Sequence, residues 1–207
     1  MLAKISIMAA PDSPVAIILP GKSDMRSTVG SFAQTLIGHG FVCCIPSTET
    51  KVQDERNGPS QSICNSNDAW GLGELGHAMQ HMRSAPESNG KIAVIGFGEG
   101  GEQAYLAACR LNPEAAIIYH GTGIEAFLEE GRHIDCQTVF HAGKDDPHMT
   151  GETDRRIHAA LIGKFNVAIY KYDAGAAFTN EDDPVNYVPE AARLAHKRTL
   201  DVLWQLT

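Results

Sequence analysis

The stretch KIAVIGFGEGG, residues Lys91–Gly101, decides the fold. Its Ile92–Phe97 portion is apolar on both faces, which is typical of a strand buried inside a parallel sheet. Glycines follow within Gly98–Gly101, and the next segment, Glu102–Leu111, favours a helix. The stretch therefore predicts a strand, a glycine-rich turn and a helix in direct succession.

Two known motifs share that context. The nucleophile elbow, G-x-S-x-G, exposes its central side chain on a sharp strand-to-helix turn, but the central residue here is Gly98. The dinucleotide fingerprint G-x-G-x-x-G fits only as Gly96, Gly98 and Gly101. It belongs to a first βαβ unit with an acidic residue about 20 positions on. This strand is at least the third, and Ile118 stands at that position, so the context favours an elbow without a nucleophile.

Strand-like apolar runs alternate with amphipathic segments along the rest of the chain. That alternation predicts one α/β domain over residues 1–207, a doubly wound, mainly parallel sheet flanked by helices on both faces. Sites in such sheets lie beyond the carboxyl ends of the strands. The other predicted strands are one near Ile5–Met8, Val15–Leu19, Phe41–Ile45, Ala115–Tyr119, Thr138–His141 and Val167–Tyr172. The predicted helices run from Ser23 or Asp24 to Gly40, from Asn67 or Asp68 to Ser84, and over 102–111, 151–163 and 189–206, with a turn at Ser88–Gly90 and a long loop over 47–67.

Charge and composition exclude several classes of partner. The 207-residue chain carries a formal charge of −8, from 25 acidic and 17 basic residues. That balance argues against a nucleic acid and against an anionic membrane surface, and no apolar run approaches the roughly 18 residues of a membrane span. Five cysteines without a C-x-x-C pair, and an N-terminus without a secretory signal, indicate reduced thiols in the cytoplasm. We expect neither a metal nor a cofactor.

From about residue 15 onward, the chain resembles the dienelactone hydrolase family of α/β-hydrolases. The matching segments, in the family's order, are SNGKIAVIGFGEGG (Ser88–Gly101), YHGTG (Tyr119–Gly123), FHAGKDDP (Phe140–Pro147), YDAGAAF (Tyr172–Phe178) and AHKRTLDVL (Ala195–Leu203). The resemblance implies an α/β-hydrolase fold and a Cys-His-Asp triad, with the cysteine in the elbow, the aspartate after a late strand and the histidine in a later turn.

Two of those three triad positions are vacant in this chain. The resemblance aligns the acid with Asp146, or with its neighbour Asp145, the nucleophile with Gly98 and the base with Ala176. Loss of nucleophile or base costs triad proteases about 10⁶ in kcat. Neither glycine nor alanine can substitute for them, so acyl-enzyme chemistry should be essentially absent.

The oxyanion donors and the carboxylate site are also affected. One donor should be the backbone N–H of Glu99, and the other that of Gly21 or Lys22, because Pro20 has no N–H. For Arg198 the resemblance implies a contact with the substrate carboxylate. A solvated helix charge paired with an acidic residue one turn away is the alternative.

Three further side chains follow strand ends. Glu99 is either a first-turn carboxylate favoured by the helix dipole or a group that projects into the cleft. His120 and His148 are either structural residues or substrate-binding groups that form a relocated base with Glu99. Two functions therefore stay open. One is a pseudoenzyme that binds a small acidic metabolite, such as a carboxylate or lactone, and the other is an active ester or lactone hydrolase with relocated groups.

Overall fold

The computed structural model describes residues 2–5, 11–21, 25–46 and 71–207. The described strands are β1 (Leu2–Ile5), β2 (Ser13–Leu19), β3 (Val42–Pro46), β4 (Ser88–Phe97), β5 (Ala115–Tyr119), β6 (Gln137–Gly143) and β7 (Val167–Tyr172). They form one sheet in the order β1-β3-β2-β4-β5-β6-β7. Strand β1 is antiparallel to β3, and β2 to β7 are mutually parallel. Chain order reverses between β2 and β4, and such a switch point leaves a crevice at the carboxyl edge of the sheet.

Within the described residues, five α-helices cover the two faces of this sheet. They are α1 (Arg26–Gly38), α2 (Leu72–Arg83), α3 (Glu99–Arg110), α4 (Gly151–Leu161) and α5 (Pro189–Leu203). Short 3₁₀ helices cover Ile124–Ala126, Leu128–His133 and Trp204–Leu206. One core cluster joins the sheet to α2, α3 and α4, and a second joins it to α1 and α5. Neighbouring residues of β2 and β4 enter opposite clusters, which explains why these strands are apolar on both faces.

The structure confirms the predicted sheet and moves several boundaries. The segment Ser88–Gly90 was expected to be a turn, but it belongs to β4, because Ser13 pairs with Ser88 across a register shift. Gly90 absorbs that irregularity with φ +82. Helix α2 begins after Gly71, whose N–H donates to the Glu74 carboxylate. The predicted caps at 23–24 and 67–68, and the predicted loop at 47–67, lie outside the described residues.

Two other ends differ from the sequence prediction. Helix α3 starts at Glu99, three residues earlier than expected, and α5 ends at Leu203 before a 3₁₀ turn. The N-terminal strand is at Leu2–Ile5, ahead of the segment predicted near Ile5–Met8. None of the helices in the described part of the chain is both long and apolar enough to cross a bilayer.

The described cysteines are structural thiols. Cys43, Cys109 and Cys136 are buried and free, Cys44 is buried, and Cys64 lies outside the described residues. Burial raises the pKa of Cys43 to about 12 and that of Cys109 to about 11. These two thiols therefore stay protonated and unreactive at neutral pH.

Candidate functional site

The turn between β4 and α3 is a sharp elbow that only glycines can close. A Cβ at Gly96 would overlap the carbonyl oxygen of Gly100, and a Cβ at Gly100 would overlap that of Leu19. Gly98 stands at the tip with φ +56 and ψ −119, a conformation that L-residues rarely adopt. Among the described residues, a Cβ built on Gly98 meets only the Gly21 Cα, at 3.9 Å. The tip of the turn thus leaves room, among the described atoms, for a Cβ that glycine does not supply.

Neighbouring strand ends hold this elbow in place. The Gly98 N–H donates to the Tyr119 carbonyl at 2.9 Å, and the Thr122 N–H donates to the Gly98 carbonyl at 3.3 Å. On the other side, a Cβ on Gly21 would lie 2.8 Å from the Phe97 carbonyl oxygen. The ends of β2, β4 and β5 therefore converge at the crevice.

The two residues predicted to supply oxyanion donors lie next to each other there. Glu99 opens α3, and its Oε2 comes within 3.0 Å of a Cβ built on Gly21. The Glu99 side chain thus lies along the β2 loop, beside the elbow. Lys22, the alternative donor, lies outside the described residues.

The acid and base positions occupy adjoining loops at the same edge of the sheet. Asp146 is 5% exposed, and its Oδ1 accepts the His148 N–H at 2.8 Å, closing a turn after β6. The Asp145 N–H donates to the Ala174 carbonyl at 3.1 Å, which ties this turn to the loop that carries Ala176. Gly98, Asp146 and Ala176 therefore follow the ends of β4, β6 and β7, three parallel strands whose carboxyl ends face the same way.

His120 is a buried imidazole that follows Tyr119, the residue whose carbonyl accepts the Gly98 N–H. It follows β5 directly, has φ +50 and is 5% exposed. Its Nε2 lies 2.9 Å from Thr179 Oγ1, and its ring packs edge-on against Phe178 with centroids 4.5 Å apart. Its Nδ1 is buried and has no hydrogen-bond partner among the described residues. Burial, reinforced by the charge of His196, lowers the pKa of His120 to about 3.

A second imidazole belongs to a saturated network behind the crevice. His141 is 1% exposed, with Nδ1 2.8 Å from the Tyr172 hydroxyl and Nε2 2.9 Å from Thr199 Oγ1. The Thr199 hydroxyl lies 2.6 Å from that of Tyr119. Burial lowers the pKa of His141 well below its usual range. Both nitrogens are occupied and the group stays neutral, so His141 is a structural residue.

The other two candidates are an exposed histidine and an arginine stacked on the aromatic rings of β7. His148 is exposed, and only its backbone N–H contacts Asp146 among the hydrogen bonds of the described residues. The Arg198 guanidinium lies 4.1 Å from the Tyr170 ring centroid and 5.3 Å from that of Tyr172. Tyr170 is at the register level of Phe97 but three strands away, about 14 Å at the usual strand spacing. The expected neighbour of Arg198, Asp201, pairs instead with Lys197 at 2.9 Å.

Sequence reasoning missed Thr179 and Phe178 as partners of His120. Thr179 is fully buried and 59 residues away in the chain, so no local pattern links it to His120. Metal ligation finds no support in the described residues, because they contain no cluster of three His, Cys, Asp or Glu side chains that could hold an ion. The arrangement offers a preformed elbow, a buried carboxylate and one neutral imidazole, without an oxygen or sulfur atom at the tip.

The comparisons with known proteins concern the family and the fold of this chain. The model of the dienelactone hydrolase family matches residues 3–207, which confirms the resemblance in the sequence. A carboxymethylenebutenolidase of Pseudomonas sp. (strain P51) is 35% identical over 133 residues, 64% of this chain and 56% of that protein. Carboxymethylenebutenolidase 1 of Cupriavidus pinatubonensis is 26% identical over 204 residues, 94% of this chain and 87% of that protein. The chain thus matches a little over half the length of the Pseudomonas relative.

Solved structures show the same fold. A putative dienelactone hydrolase from Klebsiella pneumoniae superposes with a TM-score of 0.75 at 16% identity, over 98% of this chain and 90% of that one. A dienelactone hydrolase-like promiscuous phosphotriesterase from metagenomic libraries gives a TM-score of 0.75 at 19% identity, over 96% and 88%. These likenesses confirm the predicted α/β-hydrolase architecture.

Proposed function

This chain belongs to the dienelactone hydrolase family, and we propose that it binds a small carboxylate or lactone in the family's cleft without forming an acyl-enzyme. The relatives are named carboxymethylenebutenolidase, after a compound that is a lactone carrying a carboxylate. That chemistry defines the ligand class proposed for this chain. The single observation that carries the proposal is Gly98 at the tip of the elbow.

Covalent catalysis needs a nucleophilic atom at that tip. Gly98 brings only backbone, and the nearest described atom to its missing Cβ is carbon. Without an oxygen or sulfur there, no acyl bond can form at this position. The space that a nucleophile would fill remains open to a ligand atom instead.

The base position points the same way. Ala176 carries a methyl group, and the carboxylate that would orient a base, Asp146, already accepts the His148 N–H. Removing the base alone is about as damaging to a triad as removing all of it. The combination of Gly98 and Ala176 therefore supports binding without acyl transfer.

The test combines binding, labelling and turnover on the full chain. With ¹⁵N-glycine labelling, a carboxymethylenebutenolide should shift the amide signals of Gly98 and Gly21 and leave those of Gly38 and Gly163, far from the elbow in the chain, unmoved. A fluorophosphonate should leave the intact mass unchanged, and the lactone should open at its background rate. A fluorophosphonate adduct mapped to a serine, for instance Ser23 or Ser47, would refute the proposal, as would the absence of lactone binding.

A second function, hydrolysis with relocated groups, is favoured by the unpartnered Nδ1 of His120. Its low pKa argues against this role, because a base with a pKa of about 3 has little driving force to take a proton at neutral pH. A relocated base would be revealed by lactone opening above background that disappears in His120→Phe and persists in His148→Ala.

We also propose a cytoplasmic location. The buried free thiols of Cys43, Cys109 and Cys136 support it, because reduced cysteines persist in a reducing compartment. Fractionation of the source cells tests it, and recovery of the protein in the periplasmic or secreted fraction would refute it.

A further inference from the structure

The outer edge of β7 carries backbone groups that no described strand pairs. In the part of the chain that the structure describes, β7 has β6 on one side and is the last strand of the sheet on the other. The Thr138 N–H of β6 donates to the Asn166 carbonyl at 2.8 Å, and the parallel register then turns every second residue of β7 toward β6. The N–H and C=O groups of Ile169 and Lys171 therefore point away from β6, and an edge of this kind is a template for a further strand.

An apolar groove lies beside this edge, between the last turns of α4 and the start of β7. Its volume is about 400 Å³, and its walls come from His158, Ala159, Leu161, Ile162, Val167 and Ile169. Two large apolar residues are exposed in the turn between the helix and the strand, Ile162 at 83% and Phe165 at 104%. We call the edge, the groove and these two residues the β7 surface. Exposed apolar surface of this kind, when it is contiguous, marks a site of interaction.

The features with which proteins usually block an exposed strand edge are missing or neutralised at β7. Its sequence, VAIYKY, has no proline, and its register with β6 runs from Val167 to Tyr172 without a bulge. Its one charged residue is Lys171, whose Nζ lies 2.6 Å from Asp154 Oδ1 and whose side chain is only 22% exposed. A lysine that projects freely from an edge repels a second strand, but Asp154 holds and neutralises this one. The edge is therefore open to pairing.

We propose that the β7 surface binds a second copy of this chain, paired antiparallel through β7 about a two-fold axis perpendicular to the sheet. Such an axis lets one surface serve both partners, and it keeps α4 on the same face of the sheet in both copies. With the axis at Ile169, each Ile169 exchanges both backbone hydrogen bonds with the partner's Ile169, and each Lys171 N–H donates to the partner's Val167 carbonyl. The two apolar grooves then meet across the axis, and the sheet continues from one copy into the other.

The charges at the two ends of β7 suit an antiparallel pair. Lys164 precedes the strand, and among the described residues its ammonium donates to the backbone carbonyls of Arg132 and Ile134 and pairs with no carboxylate. Asp173 follows the strand, and its side chain is 90% exposed although Lys144 lies beside it. Antiparallel pairing brings each Lys164 toward the partner's Asp173, whereas parallel pairing of two copies would set like charges together. Opposite charges across an interface favour this one arrangement.

The size of the β7 surface predicts a weak and reversible dimer. The strand has six residues. At about 3.3 Å per residue its edge is about 20 Å long, and with a thickness of about 10 Å it offers about 200 Å². Phe165 adds about 150–250 Å². Even with the groove, this area is below the roughly 800 Å² per partner of a standard interface, so we expect a dissociation constant of about 10–100 µM.

The first arm of the test measures assembly and hydrogen exchange of the full wild-type chain. Sedimentation velocity should show the monomer giving way to a dimer as the concentration passes through the expected range. Amide exchange is then read residue by residue about tenfold below and about tenfold above the measured dissociation constant. The N–H groups of Ile169 and Lys171 should be protected only at the higher concentration. Those of Ala168 and Tyr170, which point toward β6, are the internal control and should be protected equally at both.

The second arm compares substitutions of two exposed aromatic residues. Phe165→Asp adds a carboxylate at the start of β7, where the partner's Asp173 approaches, and should raise the dissociation constant about tenfold or more. Because Phe165 is fully exposed, its replacement removes no packing within the monomer. Trp204→Asp is the matched control, because Trp204 is 61% exposed and contacts His39 after α1, a helix that packs against β2 and β3. It should leave the dissociation constant unchanged.

Three results would overturn the proposal. One is a chain that stays monomeric at about tenfold above the expected range, which would leave the β7 surface to a partner of another kind. Another is a dimer in which the Ile169 and Lys171 amides exchange as fast as in the monomer, because assembly would then use a different surface. The third is equal weakening of the dimer by Phe165→Asp and Trp204→Asp. Should Phe165→Asp fail to fold, the exchange pattern of the wild-type chain decides alone.

Discussion

Replacing Gly98 with alanine should destabilise the protein through backbone strain alone. The φ of +56 and ψ of −119 cost a residue with a Cβ about 1–3 kcal/mol. No steric cost adds to this among the described atoms, because the nearest is the Gly21 Cα at 3.9 Å, an ordinary contact. For a chain of this length each kcal/mol lowers Tm by about 2–4 °C.

Urea denaturation of Gly98→Ala measures the cost, with a constant m-value as the condition for reading it as stability. Gly30→Ala is the control. Gly30 lies inside α1, has nothing within 4 Å of a built Cβ among the described atoms, and should gain about 0.5–1 kcal/mol from helix propensity. Gly98→Ser should cost about as much as Gly98→Ala, since both add the same Cβ. An unchanged or raised midpoint for Gly98→Ala would mean that the tip of the elbow is unstrained and that the reasoning is wrong.

Three other changes have defined outcomes. Gly98→Cys alone should give no esterase activity, because a free thiol with a pKa near 8.5 is mostly protonated at pH 7, while adding Ala176→His supplies a base. In the double-mutant cycle on an activated ester, a single Cys variant that equals the double would show that no latent triad geometry survives. Stability should fall as the pH drops below about 6.5, because the unfolded chain then binds a proton that folded His120, with a pKa of about 3, does not. The contribution of this group approaches about 1.4 kcal/mol per pH unit well below pH 6.5. The slope between pH 6.5 and 5 should therefore be smaller in His120→Phe but not zero, because the pKa values of His141 and His196 are lowered too. An unchanged slope would contradict the burial argument. Gly21→Ala should cost about 1–3 kcal/mol, because its Cβ would lie 2.8 Å from a backbone oxygen of the elbow, and a midpoint equal to that of Gly30→Ala would show that the β2 loop yields freely.

The inner strands of the sheet were predictable because they are buried on both faces, as Ala115–Tyr119 is, while Val167–Tyr172 at the edge is only partly buried. Ala115–Tyr119 and Val167–Tyr172 match the predicted bounds, since an apolar run between polar turns leaves little freedom in where a strand ends. The segment Ser88–Gly90 shows where local sequence fails to predict a strand. Its Ser-Asn-Gly composition is typical of a turn, yet pairing with Ser13 draws it into β4, and that partner is 75 positions away.

The predicted start of α3 was wrong for a different reason. Gly100 and Gly101 have poor helix propensity, so the sequence favours a start at Glu102. The structure needs these glycines because the helix passes too close to Leu19 and Gly121 for any Cβ. Close approach overrides propensity here, which is why local rules misplace the first turn of the helix.

The candidate site divides in the same way. The triad positions of Gly98, Asp146 and Ala176 could be assigned because the family motifs are contiguous in sequence, and these assignments stay predictions. The pairing of His120 with Thr179 is not, since it depends on how the loops after β5 and β7 meet. A strand-end histidine alone gave no reason to expect a buried ring with one nitrogen bound and the other unpaired.

Backbone strain is distributed differently at this elbow than at one that carries a nucleophile. An elbow with a nucleophile breaks the local backbone rule at its tip, and active sites tolerate that cost. In this chain the tip obeys the rule, because glycine accepts φ +56 freely. The neighbouring strand end breaks two rules at once, with a left-handed backbone and an orphaned buried nitrogen at His120. Each of these two features of His120 lowers the stability of the fold. The strained residue therefore lies at the end of β5 and not at the tip of the elbow, which agrees with the proposal of ligand binding without covalent attack.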